Sequence, residues 1–150
     1  MAIPTEVDRS APALSEHQID INAPRELVWR LHTDIAAWPT WQTDITDAAL
    51  EQPLEPGVSF RWSTSGMTIT STVYAIDEGS RILWGGTVSS ITGIHDWIFT
   101  NTANGVRVAT TEPFSGGPVD PDSDAMQGLL DQSLISWLSK LKVAAELKHS

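Results

Sequence analysis

Apolar and polar residues alternate with a period of two from Leu14. Ser15, His17, Ile19 and Ile21 fall on one side, and Glu16, Gln18 and Asp20 on the other. That pattern predicts a strand with one apolar face. Asn22-Ala23-Pro24 then opens a helix, with Asn22 as the cap candidate and Pro24 near the first helical position. Leu27, Val28 and Leu31, with Trp29, supply its buried face. A short second helix starts at Asp34 and is stopped by Pro39, because proline disfavours helical geometry in the residue before it. Beyond the turn Gln52–Gly57 the period of two returns. Val58, Phe60 and Trp62 form one apolar set, and Met67, Ile69, Ser71 and Val73 another after a turn at Gly66. Asp77-Glu78-Gly79-Ser80 is a further turn, followed by Ile82, Trp84 and Gly86 on one parity. His95, Trp97 and Phe99 share the next run, and Val106, Val108, Thr110 and Glu112 the last. Turn signals every ten to fifteen residues predict an antiparallel meander.

The period then lengthens. Met126, Leu130, Leu134, Trp137, Leu141 and Ala145 recur every three to four residues and define the stripe of a long closing helix. Asp120, Asp122, Ser123 and Asp124 place caps and negative charge at its start, and Lys140, Lys142 and Lys148 lie toward its end, as the helix dipole favours. Residues 1–12, with two prolines and no sustained apolar period, read as a flexible arm. Residues 13–150 read as a single domain without internal repeats.

Composition narrows the function classes. The 150 residues carry 9 basic and 19 acidic side chains, a net charge of −10. Binding phosphates needs a concentrated positive face, so nucleic acid is not expected as a partner. The absence of cysteine removes disulfides and thiolate chemistry. His17, His32, His95 and His149 show no metal-ligand spacing, and no phosphate-cradling glycine loop follows a strand, so neither a metal nor another cofactor is expected. No apolar run reaches the roughly 18 residues of a membrane span, and no signal-peptide pattern opens the chain, so the expectation is a cytoplasmic protein with no integral membrane segment. Seven tryptophans stand beside one tyrosine and three phenylalanines. Indoles combine a large apolar ring with an N–H that wants a partner, which suits walls that are part apolar and part wet as well as plain core packing.

One strand, two short helices, a meander of about five more strands and a long amphipathic helix bury all their apolar faces most simply if a curved sheet wraps the last helix. The sequence here resembles the START-like, or SRPBCC, superfamily, the helix-grip fold of the birch pollen allergen, and within it the polyketide cyclase/dehydrase and lipid-transport branch. The resemblance rests on Ile19–Pro24, Val28-Trp29, Asp34-Ile35, Trp38–Trp41, Pro56–Phe60 and Ile82–Gly86, then His95–Phe99, Gly105–Val108 with Glu112, and Leu138–Glu146. It covers roughly residues 14–146 and is specific for fold. It implies an α+β fold of six to seven antiparallel strands around a long C-terminal helix, with an internal cavity. By parity, Phe60, Trp62, Met67, Ile69, Ile82, Trp84, Trp97, Phe99, Met126, Leu130, Leu134 and Trp137 point inward. The candidate ligand-binding set is these residues without Ile82, joined by Trp41 and Phe114.

His95, Thr110 and Glu112 share the inward parity. Across the loop between the last two strands, a four-residue connection sets His95 opposite Glu112, Trp97 opposite Thr110 and Phe99 opposite Val108. A two-residue Asn104-Gly105 turn instead sets Trp97 opposite Glu112. Either register keeps His95 and Glu112 on one face, and directly opposed side chains have Cβ atoms about 4.5–5.5 Å apart. One reading is an acid/base pair with Thr110 or an indole N–H donating to a developing oxyanion, as an aldol-type cyclisation with dehydration needs. The other is a satisfied structural pair.

Weaker candidates follow. Asp34 reads as a helix cap and Asp44 as a turn or strand-entry residue. His17 shares the parity of Ile19 and Ile21, which makes it a weaker candidate for facing the cavity near the first strand; His32 lies on a helix surface, and His149 is in the tail. Trp38 and Trp41 form either a gate or a packed corner, and Gly116-Gly117 either a lid or an ordinary loop. The functional expectation is a binder of a hydrophobic small molecule, aromatic, polyketide-like or lipid, with cyclase/dehydratase chemistry as the enzymatic version. A non-catalytic carrier or sensor and a co-chaperone-like interaction module are the alternatives. Monomer or weak homodimer is the expected state.

Overall fold

Period-two segments of β-branched and aromatic residues pair with their sequence neighbours wherever a short turn joins them, and that rule builds most of this molecule. The computed structural model describes residues 13–64, 66–88, 91–115 and 123–149. Its strands are β1 (Ala13–Ile21), β2 (Ile45–Ala49), β3 (Ser59–Thr64), β4 (Met67–Asp77), β5 (Arg81–Val88), β6 (Ile91–Asn101) and β7 (Val106–Ser115). Helix α1 spans Arg25–Thr33, a 3₁₀ segment spans Ile35–Thr40, and α2 spans Ser123–His149. The seven strands form one antiparallel sheet in the order β1-β7-β6-β5-β4-β3-β2. Six successive strands are a meander, and β1 closes the far edge against β7. Helix α1 and the 3₁₀ segment carry the chain from one edge of the sheet to the other. This is the α+β helix-grip arrangement expected from the sequence.

The inward parity is observed. Phe60, Trp62, Val73, Ile82, Trp84, Trp97, Phe99, Val106 and Val108 from the sheet are buried with Leu134, Trp137, Leu138, Leu141 and Ala145 of α2. Met67 is the exception: it is 47% exposed. It opens β4 opposite Thr64, the last residue of β3, after the left-handed turn at Gly66, so its side chain projects past the end of the covered face.

Three local readings are corrected. Asn22 does not cap α1: Pro24 occupies the cap position with extended geometry and no side-chain bond, while the Asn22 amide donates to Glu146 Oε2 at 2.9 Å. The second helix does not stop before Pro39, because its tighter 3₁₀ turn accommodates the ring and runs to Thr40. Asp34 stands at the junction of the two helices, yet its carboxylate caps neither. Strand β2 was not expected. Among its five residues only Ile45 is fully buried, so an edge strand of this kind carries almost no periodic signal.

Gly105 holds the β6–β7 turn against the first strand. A Cβ there would lie 2.1 Å from the Ile21 carbonyl oxygen, a backbone atom that cannot move aside cheaply. The arm at residues 1–12, Asp120, Asp122 and the Gly116-Gly117 loop lie outside the described residues.

Candidate functional site

The register of β6 against β7 decides which polar side chains meet. Thr92↔Ser115, Gly93↔Phe114, Asp96↔Thr111, Trp97↔Thr110, Phe99↔Val108 and Asn101↔Val106 are partners. This is the register of the four-residue connection, and it brackets His95 and Glu112 from both sides. Their side chains meet directly, His95 Nε2 with Glu112 Oε2, and both residues are 5% exposed. Neither His95 ring nitrogen makes a regular hydrogen bond among the described residues; a neutral imidazole with its proton on Nε2, against the carboxylate, keeps its lone pair on Nδ1. Burial away from water pushes the His95 pKa well below the ordinary value of 6.5, and the neighbouring His32 lowers it further. Desolvation therefore outweighs the stabilisation of the charged form that a nearby carboxylate offers.

Indoles enclose the pair. Trp84 of β5 lies edge-on to the His95 ring with centroids 4.4 Å apart, and Trp97 and Trp137 stand 5.7 Å away. Trp137 is the hub contributed by α2: its ring lies 5.3 Å from Trp38, 5.4 Å from Trp97, 5.7 Å from Trp62 and 6.0 Å from Trp84. Trp38 is completely buried, a packed corner rather than a gate.

The seven indole N–H groups divide in two. Trp29 donates to Glu78, Trp38 to the His32 carbonyl and Trp62 to Ser71, at 2.8–3.1 Å. Those of Trp41, Trp84, Trp97 and Trp137 are buried without a partner among the described residues, as is the Thr110 hydroxyl. A buried donor without a partner costs about 1–3 kcal/mol. Three of these indoles, Trp84, Trp97 and Trp137, lie against the His95 ring, so the pair is lined by donors rather than by an ordinary apolar core. Trp41, half-buried, also lines a surface hollow of about 200 Å³ with Leu27, Leu31 and Ala37.

One histidine was placed differently by sequence reasoning. His32, expected on a surface, is 1% exposed and sits 4.2 Å from Trp97 and 5.6 Å from Phe99 between ring centroids. Burial lowers its pKa to about 3, so it is neutral. It follows Val28 by four and Trp29 by three, which is the helical spacing of one face; that signal was present in the sequence. His17 does face inward: its Nε2 donates to Asp131 Oδ1 of α2 at 3.0 Å, and Ser15 Oγ donates to the same oxygen. Asp44 precedes β2 and binds Lys140 Nζ at 3.1 Å and Ser136 Oγ at 3.2 Å, tying that turn to α2.

Of the remaining candidates, Phe60, Trp62, Phe99 and Leu134 are buried, and Ile69 packs partly buried against the same core. The side chains of Phe114, Met126 and Leu130 lie outside the described set. Among the described residues there is no cluster of three metal-ligating side chains, and no helix is long and apolar enough to cross a membrane.

The sequence model of the polyketide cyclase / dehydrase and lipid transport family matches residues 12–146. Among solved structures, a hypothetical protein of Helicobacter pylori superposes with a TM-score of 0.80 at 15% identity, over 93% of this chain and 91% of that one. A START superfamily protein of Mycobacterium smegmatis gives 0.77 at 14% identity, over 89% and 97%. The ZhuI aromatase/cyclase of a Streptomyces species gives 0.75 at 15% identity, over 89% and 93%. Likeness at these identities establishes a shared helix-grip fold.

Proposed function

The chain belongs to the polyketide cyclase / dehydrase and lipid transport family, and from that premise we propose that it binds an oxygen-bearing aromatic or polyketide-like molecule between the sheet and α2 and cyclises it with loss of water. The observation that carries this reading is the ring of unpartnered indole N–H groups and the Thr110 hydroxyl around the His95–Glu112 pair. Tryptophan nitrogens donate and never accept. Their natural counterparts are carbonyl or phenolic oxygens on a flat apolar skeleton, whose faces the indoles cover. Trp137 is the ring that α2 contributes, so entry of a ligand separates it from Trp62, Trp84 and Trp97.

The chemistry follows from the protonation states. His95, neutral near pH 7, takes a proton through Nδ1 from a methylene between two carbonyls, while Glu112 accepts the Nε2–H bond and steadies the imidazolium that forms. The electron pair released moves onto the adjacent carbonyl oxygen, where Thr110 or an indole N–H donates to it. The enolate carbon then attacks a second carbonyl of the same chain. The new alkoxide takes the proton held by His95; the neutral ring then removes the second hydrogen of the attacking carbon and passes it to the hydroxyl, which leaves as water while the electron pair closes the double bond. The structural likeness to an aromatase/cyclase supports the fold's suitability, and the residues above supply the rest of the argument.

The test is single-turnover kinetics with a synthetic linear β-polyketone thioester, following the cyclised and dehydrated product. His95→Ala should bind the thioester with affinity near wild type and lose about 10²–10⁴-fold in rate, the usual contribution of a positioned general base. Equal rates in the two proteins would remove the chemical step. Unchanged thioester recovered from the wild-type complex would leave a carrier.

A further inference from the structure

The buried pair adjoins a second polar chain that the proposed chemistry does not use. Ser15 of β1 is the direct cross-strand partner of Glu112 of β7, and His17 is the partner of Thr110. Directly opposed residues project on the same face with Cβ atoms about 4.5–5.5 Å apart. Ser15 is 1% exposed. Its hydroxyl donates to Asp131 Oδ1, and His17 Nε2 donates to the same oxygen. The Asp131 and His17 side chains are 36% and 27% exposed, against 7% for Glu112. The bonding order rules out a serine nucleophile, because His17 is bonded to Asp131 and not to the Ser15 hydroxyl.

We propose that His17, Asp131 and Ser15 form a proton relay connecting Glu112, and through it His95, to solvent. Inward, His17 passes its Nε2 proton to Asp131 Oδ1 and recovers one from water at the ring. The Ser15 hydroxyl turns from Asp131 toward Glu112, and Asp131 then passes its proton to Ser15 Oγ as the hydroxyl hydrogen moves to Glu112. His17, Asp131 and Ser15 each end with as many protons as they began with, His17 in its other tautomer, and one proton has moved from water to Glu112. The reverse sequence carries a proton out. Trp84, Trp97 and Trp137 lie against the His95 ring, which is only 5% exposed. The relay is a property of the ligand-free protein, so it stands or falls independently of any turnover.

The test measures exchange of the His95 ring N–H with water by NMR on full-length protein carrying ¹⁵N in histidine and tryptophan side chains. Ser15→Ala and Asp131→Asn should each slow that exchange by about tenfold or more, the effect of removing one hydrogen-bonded link from a transfer path. Exchange of the Trp97 Nε1–H, which lies off the relay, should stay as in wild type, and Ser15→Thr, which keeps a hydroxyl, should restore the His95 rate. Exchange at His95 unchanged within about twofold in Ser15→Ala would overturn the proposal. So would equal slowing at Trp97, which would assign the effect to general opening of the core.

Discussion

Glu112 meets His95 on the inner face of the sheet while Ser15, directly across from Glu112 on the other side, bonds to Asp131 of the covering helix. One carboxylate thus joins the indole-lined interior to a polar seam beneath α2. An unpaired carboxylate would not be retained in such a place, since isolated buried charge is strongly disfavoured.

Thr110 tests whether the polar lining exists for a ligand or for the fold. Its hydroxyl is buried and unpartnered, so Thr110→Val removes an unmet polar group at nearly constant volume. Urea unfolding should show stability equal to wild type or higher by about 1 kcal/mol. Affinity for 1,8-dihydroxyanthraquinone, followed by tryptophan fluorescence, should fall.

His32 gives the protein an acid-sensitive core. Its folded pKa of about 3 lies below the ordinary 6.5, so below pH 6.5 the unfolded chain binds a proton that the folded chain does not. Stability is therefore lost as pH falls from 6.5 toward 3, by about 1.4 kcal/mol per pH unit for this one group. His95 acts in the same direction. Urea titrations across this range should show a shallower acid slope in His32→Leu than in wild type; parallel slopes would contradict the account.

Trp137 anchors α2 to the rings of the sheet. Trp137→Ala should lower the unfolding free energy by about 3–5 kcal/mol, and Trp137→Phe by clearly less. Chemical denaturation of the two variants checks the order.

Gly105→Ala forces a methyl group toward the Ile21 carbonyl. A destabilisation of about 1–3 kcal/mol is expected, read from the same denaturation curves.

The meander and the closing helix were legible because each strand buries alternate residues and α2 buries one stripe. The pairing of His95 with Glu112 was legible for the same reason, since both candidate registers kept them on one face. What escaped were features set by neighbours remote in sequence. His32 became buried because α1 turns the Val28–His32 face toward Trp97, where the leucines had suggested a different face. Met67 obeyed parity but outran its cover. The division of the seven indoles into three satisfied and four unsatisfied donors depends on partners such as Glu78 and Ser71, which no local pattern announces.

The central claim, that the unsatisfied indoles of Trp84, Trp97 and Trp137 are ligand donors, is tested most directly by the ¹H–¹⁵N signals of the tryptophan side chains during titration with 1,8-dihydroxyanthraquinone. The account predicts saturable downfield shifts at Trp84, Trp97 and Trp137, with Trp29, Trp38 and Trp62 nearly unmoved. Shifts of equal size at all six, or none at the first three while binding saturates, would contradict it.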